Sequence, residues 1–242
     1  MAPVACVLYP TLTMSFSELV AHPRPFNAVT DCADPTRLDL ILNPNASPKY
    51  GGFKKATFGH TSRPVVGTSS RICLKQCWYQ CKITGARITF DNPTQVVKLS
   101  SEINCLRWAS ALMDLVYKFM AAHLKSRNAT PPFKIPKMRF IDTALAIAEN
   151  SGHDTYMIEE IIDEAVDGEF IKYIGNSSAK PFQHFDSDVS HRANFLAFCQ
   201  HVQYSKTKQL AFVGDFQGVC CNHFPSLHHI HTHVCRREKS AY

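Results

Sequence analysis

The sequence holds no apolar run long enough to cross a bilayer, no internal repeat and no low-complexity tract, so a membrane span and a repeat array are not expected. Its basic residues form no stripe interleaved with aromatics. Nucleic acid is therefore not an expected partner, although the net charge of +6 at pH 7 favours anionic ligands or acidic proteins. Met1 to Tyr9 lacks a positively charged start and Pro10 interrupts its apolar residues, so a secretory leader is not expected. Nor do the cysteines form a compact framework. All 10 are scattered through a large chain beside 12 histidines, which points to reduced thiols in an intracellular, cytoplasmic protein. The Asn-x-Ser/Thr triplets at Asn45, Asn128 and Asn176 then read as chance matches.

A chain of 242 residues buries a sizeable core, which bounds it to one domain or two tightly joined lobes. Pro-rich breaks at Pro44 to Pro48 and Pro131 to Pro136 divide it into three parts, the first of which carries the least signal. Phe53 to His60 and Ile72 to Tyr79 alternate like strands around a turn-rich stretch, predicting a hairpin. From Ser101 onward, Ile103, Leu106, Ala111, Leu115, Val116, Phe119 and Met120 recur at helical spacing, with Ser100 or Ser101 as the cap. Phe140 to Ala148, Thr155 to Ile162 and Glu169 to Ile174 read as strands, and Asp186 or Ser187 caps a helix running to about Val202. Strands then helix, twice over, give an α+β class with two lobes.

The most specific chemistry lies in Leu210 to Gly218, where an apolar strand delivers Asp215 and Gln217 onto a glycine turn. A carboxylate there can accept a hydroxyl proton, and an amide oxygen beside it can hold a metal ion on ATP. The plain alternative is an ordinary strand-to-turn exit. Lys75 stands mid-strand after a glycine-rich hairpin, where an ammonium can reach two phosphate oxygens, and Glu102 on the following helix can fix it by an ion pair. Lys54 and Lys55 alternate faces, so only one of them can share that task. The tail Leu227 to Cys235 carries alternating histidines and a cysteine, a zinc half-site without the spacing of a common finger, or a histidine-rich tail and nothing more.

Five landmarks follow in order: Gly51-Gly52-Phe53-Lys54-Lys55-Ala56; Cys73-Leu74-Lys75-Gln76; Glu102; Ile158-Glu159-Glu160-Ile161 with Phe170 to Asn176; and Asp215-Phe216-Gln217-Gly218. This series, with the spacing from His201 to Asp215, resembles the atypical alpha-kinases, and its wording is most similar to their fungal members. The resemblance implies a two-lobed protein-kinase-like α+β fold with a zinc-stabilised C-terminal lobe. Residues 1–50 would lead into the N-lobe, which occupies about 51–150, and the C-lobe would occupy about 151–242. It implies a serine/threonine protein kinase that uses ATP and Mg²⁺ on a protein substrate with a Ser/Thr acceptor. Lys75 and Lys54 would then meet phosphate, Glu102 would hold Lys75, and Glu159 or Glu160 would mark the adenine-contacting hinge. Asn176 would lie near metal and phosphates, Asp215 would be the base and Gln217 a metal ligand. His201, His229, His231 and Cys235 would enclose a structural Zn²⁺, with His231 where the family has cysteine.

One departure stands out. After Gln217-Gly218-Val219 the family continues through Thr-Asp-Pro-Gln and a glycine-rich segment, whereas this chain has only Cys220 to Leu227 before its tail. Loss of that second carboxylate removes positioning and charge neutralisation, which are most of what a kinase supplies. Either the fold is a degenerate kinase or a coding segment is missing from the sequence. A pseudokinase or interaction module is thus the alternative to an active kinase, with a zinc-stabilised nucleic-acid binder as the outlying third.

Overall fold

The computed structural model describes residues 3–22, 24–43, 45–150, 152–162, 164–175, 178–183, 186–220 and 227–236, with the side chains of 164, 166, 220 and 227–236 left out. In chain order the elements are β1 (Val4–Pro10), α1 (Phe16–Ala21), β2 (Thr36–Leu42), β3 (Lys49–Tyr50), β4 (Lys54–Thr61), β5 (Arg71–Gln80), β6 (Arg87–Thr89) and α2 (Asn92–Ser126). They continue as β7 (Lys137–Phe140), β8 (Thr143–Ala148), β9 (Thr155–Glu160), α3 (Glu164–Asp167), β10 (Ile171–Lys172), α4 (Ser187–Lys206), β11 (Ala211–Cys220) and β12 (Leu227–Arg236). The chain divides into two compact units, one of Met1–Leu12, Pro23–Asn104 and Ile141–Ile161, the other of Thr13–His22, Cys105–Phe140 and Ile162–Tyr242. None of the helices described is long and apolar enough to cross a membrane.

In the first unit an antiparallel sheet runs β3-β4-β2-β1-β8-β9-β5-β6, and a further β4–β5 pairing closes β4, β2, β1, β8, β9 and β5 into a ring. Closure leaves those strands with no open edge. The period-2 alternation of the sequence sorts their side chains into two cores. Leu8, Leu40, Ile72, Leu74, Ala146, Tyr156 and Ile158 pack together in one. Their neighbours Cys77, Leu145 and Met157 pack with Leu99 and Ile103 of α2 in the other. Lys75 and Glu159 share that second parity. β1 and β2, from the stretch with the least sequence signal, are central members of the ring.

The predicted hairpin is β4–β5, in register from Lys54 opposite Cys77 to His60 opposite Arg71. The long helix starts nine residues earlier than its periodicity suggested, at Asn92 rather than Ser101. Asp91 accepts the Thr94 amide at 2.9 Å, and Pro93 is tolerated in the first turn, where its missing N–H has no helical acceptor. Gln95 then clamps Cys77 of β5, accepting its amide at 2.8 Å and donating to its carbonyl at 2.7 Å. Phe140 to Ala148 is not one strand, since Phe140 ends β7 and Thr143 begins β8. The strand expected over Glu169 to Ile174 shrinks to Ile171–Lys172.

The second unit carries a four-stranded sheet, β10-β11-β12-β7, in which only the β12–β7 pair is parallel. Its core joins Ala109, Leu112, Met113 and Val116 of α2 to Ala193, Leu196 and Cys199 of α4 and to Val213 and Phe216 of β11. These are helical intervals on both helices, each of which presents one apolar stripe. Asp186 caps α4 as expected, accepting the Val189 amide at 2.8 Å.

Candidate functional site

In the first unit, barrel register decides which charges meet. Ala56 stands opposite Lys75, so Lys54 and Lys75 share one face of the β4–β5 ribbon, and Lys55 takes the other. Burial lowers the Lys55 pKa, an effect that the Asp154 charge partly offsets. Glu159 lies opposite Cys73, diagonal to Lys75, whose direct partner on β9 is Met157. Such a diagonal is within reach of a long side chain, and Lys75 Nζ forms its ion pair with Glu159 Oε2. Glu102 instead receives Lys54 Nζ at 2.7 Å.

The expected Lys75–Glu102 ion pair is therefore corrected to two pairs, Lys75–Glu159 and Lys54–Glu102. Burial pushes the Lys75 ammonium down, but the Glu159 charge and hydrogen bond, aided by Cys73 and Glu102, outweigh it and leave the pKa above its ordinary value. Lys75 is thus held as a cation, and each ammonium has three donors. Such a face can take phosphate oxygens without moving a strand. The neighbouring Glu160 has a different environment: its Oε1 accepts the Asp142 amide at 2.8 Å, so it ties β9 to the turn before β8.

In the second unit the glycine turn expected at Asp215 is absent. β11 runs on to Cys220, and its pairing with β12 slips between Gly214 and Gln217. Asp215 takes the positive φ of 53° itself, while Gly214 and Gly218 keep ordinary values. The bulge lets Val213 before it and Phe216 after it both enter the core, which strict alternation forbids. Two buried glutamines of α4 fix the strand just ahead of it. Gln200 donates to the Val213 carbonyl and Gln203 accepts the Val213 amide, each at 2.8 Å. Asp215 is thus a buried carboxylate at a left-handed backbone position, a conformation that aspartate adopts more readily than most residues.

Lys172, absent from the expected working set, completes this group. β10 lies antiparallel to β11 with Lys172 opposite Gln217, and Lys172 Nζ sits 2.8 Å from Asp215 Oδ1. The signal was present in Phe170 to Asn176, where the lysine precedes the asparagine that drew attention. Asn176 lies outside the described residues. His201 is exposed on α4, while His229, His231 and Cys235 stand on β12 opposite Val219, Gln217 and Phe212, their side chains outside the described set. Among the described residues, no group of three or more His, Cys, Asp or Glu is placed to hold a metal ion. As donors, a carboxylate and an amide oxygen at Asp215 and Gln217 suit a hard cation such as Mg²⁺, and the lysine pairs suit a polyphosphate.

No curated protein matches the chain. The model of the alpha-kinase family matches residues 52–235, a span that takes in both lysine–carboxylate pairs, Lys172 and the Asp215 bulge. On that match the chain belongs to the alpha-kinase family, and so to the kinases.

Proposed function

We propose that this chain is a serine/threonine protein kinase of the alpha type, which transfers the ATP γ-phosphate to a hydroxyl of a protein substrate. Lys75 and Lys54 are the phosphate-binding cations. Glu159 and Glu102 orient them, and the Glu159 charge favours the charged form of Lys75. Asp215 takes the proton from the acceptor hydroxyl on a carboxylate oxygen. Lys172 fixes the rotamer of that carboxylate and screens its charge from an approaching phosphate. Gln217 and Asp215 supply the oxygen donors for Mg²⁺, which contributes charge neutralisation of the phosphates when bound. The structural Zn²⁺ expected on His201, His229, His231 and Cys235 is not part of the proposal, because His229 and Cys235 stand six residues apart on one extended strand, about 20 Å, too far for ligands of a single tetrahedral ion. The observation that carries the reading is Asp215, buried at a positive φ in a bulge and held 2.8 Å from Lys172.

The test is transfer of labelled γ-phosphate from MgATP to a mixed basic protein substrate, with Asp215→Asn in parallel. Transfer that vanishes in the variant supports the reading; transfer that survives it removes Asp215 as the base. A pseudokinase is the second reading, and one observation favours it. Between Gln217-Gly218-Val219 and the His-rich strand β12 the sequence holds only Cys220 to Ser226, without the family's Thr-Asp-Pro-Gln segment and its second carboxylate. Folded protein that binds ATP but transfers nothing selects this alternative.

A further inference from the structure

The second unit contains an apolar depression of about 610 Å³ that none of the kinase residues lines. Its walls come from the end of α2, the Pro131-Pro132 connection and the middle of α4, with Phe119, Leu124, Phe133, Ile135, Phe195 and Phe198 on its surface. Ring contacts set these walls in place. Phe195 and Phe198 lie 6.5 Å apart, Phe133 packs edge-on against His191 at 5.0 Å, and Lys206 Nζ sits 4.3 Å from the Phe119 centroid. Consecutive prolines stiffen the connection, so the depression is formed before anything enters it. Phe133 and Phe198 nevertheless remain 46% and 41% exposed, and a contiguous apolar surface of this kind marks an interaction site.

Charge selects the occupant. The stretch 119–135, which supplies one wall, carries Lys125, Arg127 and Lys134 and no Asp or Glu. The part of α4 that supplies the other, 191–198, carries Arg192 and again no acid, and Lys206 adds its charge over the Phe119 ring. The rim is thus cationic around an apolar floor. An anionic membrane could answer that charge, but lipid recognition by an apolar surface needs residues that protrude into the acyl layer, whereas these rings line a concavity. We propose that this depression is a docking site for an acidic peptide segment of a partner protein, with aromatic or leucine anchors seated among Phe119, Phe133, Phe195 and Phe198. Docking of this kind is separate from the phosphate and Asp215 groups, and it stands whether or not the chain transfers phosphate.

The experiment pans a random-peptide phage library on the folded full chain, with a Phe133→Ser/Phe198→Ser double variant as the comparison. Both positions are partly exposed, so the variant keeps its fold, and circular dichroism verifies that. Enriched peptides should combine Asp or Glu with Phe, Trp or Leu, should bind the double variant about tenfold or more weakly, and should lose affinity as salt is raised. Lys134→Glu should weaken the same peptides without touching the apolar floor. The proposal is overturned if no peptide is enriched, if the enriched set is neutral or basic, or if it binds the variant equally well. Phosphatidylserine vesicles form the control arm. Vesicle binding that falls in the double variant, without peptide enrichment, transfers the surface to lipid and also overturns the proposal.

Discussion

Replacing Lys75 by Met removes one partner of a buried ion pair in the first unit while keeping the length of the side chain. Only 4% of the Glu159 side chain is exposed, against 21% for Lys75, so the carboxylate that remains has little access to water. Breaking a buried pair from one side costs about 3–5 kcal/mol, and the partial exposure of the lysine puts this case near ~3 kcal/mol. With a urea dependence of ~2 kcal/mol per M, the midpoint should fall by about 1.5 M. The chain has two tryptophans, Trp78 in the first unit and Trp108 in the second, so Trp78 fluorescence in a Trp108→Phe background follows the unit concerned. Adding Glu159→Gln removes the stranded charge and should return roughly half of the loss or more. The pH dependence has a definite sign. Because the folded-state pKa of Lys75 is raised, its contribution is fully present below the unfolded value of about 10.4 and fades as pH rises through the folded value. The difference between wild type and Lys75→Met should therefore stay constant from neutral pH to about 10 and shrink only beyond it. A midpoint unchanged within about 0.3 M, or no recovery from Glu159→Gln, would refute the reasoning.

The remaining expectations concern a cap, a strained turn and the thiols. Asp186→Ala removes the acceptor of the Val189 amide at the start of α4 and should cost about 1 kcal/mol, read from Trp108 fluorescence in urea with Trp78 replaced. Gly67→Ala should cost more than about 1 kcal/mol, because Gly67 has φ +62° and the added Cβ would lie 2.7 Å from Glu160 Oε2. A cost near zero, read from Trp78 fluorescence in the Trp108→Phe background, would show that the turn relaxes freely. Hydrogen bonds from the Thr84 side chain and the Thr84 and Ile83 amides lower the Cys81 pKa, whereas burial pushes Cys6 up to about 12 and Cys73 to about 11. Brief alkylation at pH 7.5, followed by peptide mass spectrometry, should label Cys81 ahead of both.

How much of this was legible in the sequence depends on the range of the interaction that decides it. The β4–β5 hairpin, the α4 cap and the alternation along β8 and β9 are local patterns, and each was readable from a window of a few residues. The start of α2 was not, because its first two turns carry Pro93 and few apolar residues and are held instead by Asp91 and by the Gln95 clamp on Cys77, 18 positions earlier. Nor was the Asp215 conformation, since a glycine flanks it on one side and the positive φ fell on the aspartate. That choice comes from α4, whose two glutamines fix Val213, and from β10, whose Lys172 meets the carboxylate.

The exchange of carboxylates between Lys75 and Lys54 shows what such long-range register changes in a functional argument. The sequence reading put Lys75, Lys54 and Glu102 at the phosphates and Glu159 at an adenine-contacting hinge, whereas ring closure, which brings β9 beside β5, sets Glu159 against Lys75. Glu159 is thereby locked under its lysine, whereas Glu102 keeps 34% of its side chain exposed. An exposed carboxylate regains its hydration when its partner leaves, so surrendering Lys54 costs about 1 kcal/mol or less, while surrendering Lys75 strands a buried charge. Within the proposed kinase, an incoming phosphate therefore recruits Lys54 away from Glu102 readily, and must be met by Lys75 through the donors that Glu159 leaves free. The two lysines divide the work: Lys75 is a fixed anchor and Lys54 a releasable one, and Glu102→Gln should leave the stability of the first unit nearly unchanged while Glu159→Gln does not.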